Sequence, residues 1–87
     1  MKTKPNHLRE QILVDCRQME PPEPMIAVLE KVEHLQSDQE VIMWHRKEPR
    51  LLFEKLKERG CDYLTKHEQD GSIKLSIWKS TYENQQS

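Results

Sequence analysis

Glycine is nearly absent from this chain, which has only Gly60 and Gly71 in 87 residues. Phosphate-cradling loops of the P-loop or dinucleotide-binding kind need several glycines where the backbone closes on the ligand, and none is left over for one here. Cysteine is equally scarce. Cys16 and Cys61 are too few for a disulfide framework and form no CxxC pair, so both read as reduced thiols. No apolar run approaches the roughly 20 residues that span a bilayer. The opening MKTKPNHLRE has lysines but no apolar stretch behind them, unlike a signal peptide, and the chain reads as cytoplasmic. Charge of one sign is also missing. Fourteen Lys and Arg against 15 Asp and Glu leave a net charge of -1, without the basic surplus of a dedicated nucleic-acid binder.

What is present suits one small domain. Charged residues make up 33% and hydrophobic ones 34%, enough for a compact core inside a well-solvated exterior. EQILVDCR (residues 10 to 17) sets Ile12, Val14 and Cys16 against Leu13, Asp15 and Arg17, the period of a strand. Pro21, Pro22 and Pro24 follow, and then Met25, Val28, Leu29, Val32 and Leu35 recur at helical spacing, predicting a helix that ends near Leu35 to Asp38. A proline in the first turn of a helix forfeits no hydrogen bond, so Pro24 marks the start, and Glu23 suits the positive end of the helix dipole.

EVIMWHR (residues 40 to 46) is apolar on both alternations and reads as a central strand. Pro49 opens a second helix with Leu52, Phe53 and Leu56 inward, and Gly60 closes it. CDYLTKHEQ and SIKLSIWK flank Asp70-Gly71, the signature of a two-residue hairpin. The order β-α-β-α-β-β, with one apolar stripe per helix, predicts an α/β (α+β) two-layer sandwich, a four-stranded sheet with both helices on one face. The domain spans residues 10–79, with 1–9 and 80–87 as flexible tails.

VDCRQMEPPEPMIAVLEKVEHL resembles the first strand, loop and helix of the TusA/SirA-like sulfur-carrier proteins, whose helix begins Cys-Pro-x-Pro. It is more similar to a sister family of bacterial domains of unknown function, DUF2249. The carrying residues are Asp15 with Arg17, the run Pro21 to Pro24, HRKEPRLL from His45, and the terminal ERGCDYLTKHEQDGSIKLSI. The resemblance implies a mixed sheet in the order 1-2-4-3 with the last strand antiparallel. It implies no firm activity, although members joined to hemerythrin-like domains hint at redox or nitrogen-oxide physiology. Pro21 stands where the sulfur carriers place their cysteine, and proline can hold no persulfide.

Parallel strands joined by a helix end along the same sheet edge. That topology brings Asp15, Arg17 and Glu20 toward His45, Arg46 and Glu48 beside both helix starts. Arg17, Glu20, His45, Arg46 and Glu48 are therefore the candidate ligand-binding residues, suited to a small anionic ligand or a partner's acidic group. The competing reading is a set of ion pairs that fixes the loops. Cys16 reads as a core group and Cys61, past a helix cap, as partly exposed; a sulfur-relay or thiol redox role for either is the first alternative. His7, His34, His45 and His67 lack the spacing of a zinc helix, and no metal or cofactor is expected. Trp44, Tyr63 and Trp78 could stack bases on an open sheet, which makes RNA binding a second alternative.

These features together point to a small non-catalytic binding or regulatory module. With Asp70-Gly71 as a two-residue loop, Leu64 falls opposite Ile77 and faces the helices with Ile73, Leu75 and Ile77. Tyr63, Thr65, Ser76 and Trp78 then face away, joined by either Ile42 with Trp44 or Val41 with Met43. Nothing in the chain covers that face, which suggests a weak homodimer or a docking surface for a protein partner.

Overall fold

A computed structural model of the chain describes residues 9–80. The tails expected over 1–9 and 80–87 lie, except for Arg9 and Ser80, outside the described residues. The elements follow the expected order: β1 (Glu10–Asp15), α1 (Glu23–Glu33), β2 (Gln39–His45), α2 (Arg50–Glu58), β3 (Cys61–His67) and β4 (Ile73–Lys79). The strands form one sheet in the order β1-β2-β4-β3. β1 and β2 run parallel, and β4 is antiparallel to both β2 and β3.

The helices cover one face because each has a single apolar stripe. Val28 and Val32 of α1 and Leu52 and Leu56 of α2 are buried against Val41, Met43, Leu75 and Ile77 from the two central strands. Burial of each such side chain contributes about 1.5–3 kcal/mol. Cys16 packs into the same core at 0% exposure, as its alternation with Ile12 and Val14 implies. Strand β2 resolves its own ambiguity: Val41 and Met43 face the helices, while Ile42 and Trp44 face away.

Local chemistry sets the helix ends. α1 has proline in its first turn beside Glu23, as expected. It stops at Glu33, short of the expected end, yet Leu35 still reaches the core at 3% exposure. α2 begins after Pro49 and closes at Gly60, whose φ of 71° is a left-handed geometry that glycine accepts without steric cost.

The hairpin departs from expectation. Glu68 and Ser72 pair through the backbone, and the Gly71 N–H donates to the Glu68 carbonyl at 3.1 Å. Gln69, Asp70 and Gly71 thus form a three-residue loop, with Gly71 at φ 94°, where two residues were expected. The Asp70 carboxylate accepts from the Ser72 hydroxyl at 2.6 Å and from its N–H at 3.0 Å, which braces the longer turn. The extra residue shifts the register by one, so Ile77 pairs with Tyr63 and Leu64 pairs with Ser76. A one-residue slip turns every side chain of a strand over. Leu64 therefore faces solvent at 61% exposure, and Tyr63 stacks on Phe53 with ring centroids 4.5 Å apart. The expectations that Leu64 points inward and that Tyr63 and Thr65 point outward are corrected accordingly. Ser76 and Trp78 do face away.

Candidate functional site

The starts of both helices and the end of β2 enclose a cleft of about 300 Å³. Pro21, Pro22 and Pro24 form one wall, with Met25 beside them, and Pro49, Leu51 and Leu52 form the other. Met43 and His45 line it between these walls, and Lys47, Glu48 and Arg50 supply its charges. Proline fits both walls because each marks a helix start, where the chain must turn without a backbone donor. The cleft is therefore mainly apolar, with charge from the segment between β2 and α2. Leu51, 66% exposed, belongs to the same lining.

His45 is the polar group inside it. Its residue is 7% exposed and its Nδ1 has no hydrogen-bond partner. A buried polar nitrogen left without a partner costs about 1–3 kcal/mol. Burial pushes the His45 pKa below its usual value, opposed by a backbone hydrogen bond with Cys16 and aided by the Arg46 and Lys47 charges. The imidazole is accordingly neutral at pH 7. α2 has no acidic residue in its first turn, so its positive end is not offset by its own side chains. A neutral imidazole with an unpartnered nitrogen, a helix start without acidic residues in its first turn, and Lys47 and Arg50 against Glu48 together favour a ligand with an anionic head and an apolar body.

The five residues expected to converge are split between two places. His45 and Glu48 line the cleft, and Glu48 lies 3.8 Å from His67 Nε2 of β3. Arg17 and Arg46 lie elsewhere, with Gln18 beside the Asp70–Ser72 turn. Successive strand residues point to opposite faces, which separates Arg46 from His45. Arg46 donates to the Met19 carbonyl at 3.3 Å and sits 3.9 Å from Glu20, both exposed. Arg17 makes a two-pronged pair with Asp15 at 2.9 and 2.8 Å while its guanidinium lies 3.4 Å over the Trp44 ring. That hydrogen bonding holds the Asp15 carboxyl at a pKa of about 2. The proline walls and Met25, Met43, Lys47 and Arg50 were not among the expected site residues. The Pro21–Pro24 and Pro49 runs were their sequence signal, read there only as helix starts.

Neither thiol lines the cleft, although Cys16 lies beside His45. Burial, with Asp15 and Glu23 nearby, raises the Cys16 pKa to about 11, so it stays protonated at neutral pH. Cys61 was expected to be partly exposed, but it is buried at 2% exposure. Among the described residues no group of three or more His, Cys, Asp or Glu could hold a metal ion. Nor is any described helix long and apolar enough to cross a membrane.

No curated protein matches the chain. Among solved structures it is similar to a SirA-like protein from Desulfitobacterium hafniense, with a TM-score of 0.71 at 17% identity, covering 79% of this chain and 97% of that one. At that identity the likeness establishes the fold, the two-layer arrangement expected from the residues. The family model described as "Uncharacterized conserved protein (DUF2249)" matches residues 13–79, and the chain belongs to that family.

Proposed function

We propose that this protein is a small, non-catalytic binding module whose ligand is a monoanion with a short apolar body, seated in the proline-walled cleft. One observation supports the reading above the others: His45 lines a largely apolar cleft and its Nδ1 is buried without a hydrogen-bond partner. A carboxylate at that position would favour the imidazolium, so binding takes up a proton and the pair forms a charge-assisted hydrogen bond. Lys47 and Arg50 add attraction, and the prolines, Met25 and Leu51 contact the apolar body. Pro21 supports a role without group transfer. In this reading it occupies the place of the sulfur carriers' cysteine and offers no nucleophile. A regulatory role, in redox or nitrogen-oxide physiology among others, would act through the ligand or a partner that senses the filled cleft.

The test is an NMR titration with hexanoate and phenylacetate, using acetate and phosphate as controls. Saturable shifts are expected at the His45 imidazole and the Met25 methyl, with the His45 pKa rising as the cleft fills. Binding should strengthen as pH falls toward the His45 pKa of the empty protein. Acetate should bind at least about tenfold more weakly, because it lacks the buried methylenes that contribute about 0.8 kcal/mol each. Unchanged His45 and Met25 resonances across the series would end this reading.

A further inference from the structure

The sheet face opposite the helices carries three ordered rows, set by the strand registers. Leu13, Ile42, Ser76 and Leu64 form the middle row across all four strands. Leu13 and Leu64 are each 61% exposed, so the ends of this row stand open to solvent. On one side lie Asp15, Trp44, Lys74 and Lys66, and on the other Gln11, Glu40, Trp78 and Asp62. Arg17 and Lys74 sit over the Trp44 ring, at 3.4 and 4.7 Å from its centroid. The first flank thus holds three cations, Arg17, Lys74 and Lys66, against Asp15, with Asp70 of the turn near Arg17. The second holds the exposed Asp62 and the Glu40 carboxylate, 3% exposed and hydrogen-bonded from Gln11 at 3.0 Å, against Arg9, which lies over Trp78 at 5.4 Å.

We infer that this face binds a second copy of the same chain, about a two-fold axis lying along the middle row. The charges select both the occupant and the axis. Rotation about the row exchanges the flanks, so the cationic flank of one copy meets the acidic flank of the other. Position across the sheet is preserved in that rotation. Lys66 then meets the partner's Asp62, Lys74 meets the partner's Trp78, and the middle row packs on itself. A two-fold axis along the strands would instead set the cationic flank against its own copy. The small tilt of packed, twisted sheets leaves these pairings adjacent. Strand and residue spacings make each copy's contact about 400 Å², an area that implies a weak, concentration-dependent dimer.

Sedimentation of the full chain tests the inference directly. The average mass should rise toward that of a dimer between roughly 10 µM and 1 mM, the range expected of so small an interface. Leu64→Lys, at an exposed position, should leave a folded monomer throughout. Asp62→Lys opposes two lysines and should weaken dimerisation about tenfold or more. The double variant Asp62→Lys with Lys66→Asp restores opposite charges across the axis and should recover the dimer. The two positions are on the same strand and pair with each other only between copies, so recovery reads the interface and not the fold. A wild-type monomer at every concentration would overturn the inference and leave the face to another occupant. A dimer indifferent to Leu64→Lys, or one the double variant fails to recover, would overturn it too.

Discussion

His45 and Asp15 show how single residues tie this fold to pH. Burial leaves His45 with a folded pKa below its unfolded value of 6.5. Between those values the unfolded chain binds more protons, so stability declines as pH drops below about 6.5. Asp15, held by Arg17 at about 2 against an ordinary 3.8, contributes stability that is present above 3.8 and lost as pH falls toward 2. Asp70 is lowered by its Ser72 hydrogen bond and acts in the same direction. Urea denaturation across pH should therefore show two successive losses on acidification. His45→Gln should remove the upper loss and spare the lower one, as followed by the urea midpoint at each pH.

At the scale of the element, the β3–β4 hairpin determines which side chains the domain keeps for itself. Its three-residue loop places Tyr63 on Phe53 and leaves Leu64 on the open face. Tyr63→Ala should consequently cost about 2 kcal/mol, through lost burial and lost ring stacking. Leu64→Ala should cost under about 0.5 kcal/mol in dilute, monomeric protein, since it removes little buried area. The two-residue loop expected from Asp70-Gly71 reverses that order. Paired urea titrations of the two variants decide between the registers without reference to any ligand.

For the whole molecule, one helical layer on one sheet face leaves little stability in reserve. A domain this small has a margin of about 5 kcal/mol. Leu56, with 0% exposure, packs from α2 into the single core. Leu56→Ala should remove about 3 kcal/mol and lower the melting temperature by about 10–20 °C, measured by circular dichroism. The same economy accounts for the open face. With both helices spent on one side, no other described element covers the opposite face, where Leu13 and Leu64 are exposed and Ile42 is half-buried. The cleft lies at the edge of the sandwich, where the two helix starts leave a gap over the end of β2, so filling it need not disturb the core.

The element order, both helix starts and the inward stripes were legible in the sequence, because periodicity and proline are local signals. Val28, Val32, Leu52 and Leu56 occupy the core for that reason. The hairpin register was not legible. Asp70-Gly71 suits either loop length, and the choice rests on Tyr63 reaching Phe53, a contact between separate elements. The candidate site was legible in part. Parallel topology brought His45 and Glu48 to the helix starts, but strand alternation carried Arg46 to the other side, and Arg17 was committed to Asp15 and Trp44. The proline walls were visible as residues and invisible as a cleft, because a cleft exists only once two helix starts face each other. Local residue chemistry thus determined the elements and their faces. Tertiary packing alone decided which polar atom was left buried without a partner and which apolar row was left uncovered, since both depend on contacts between segments distant in the chain.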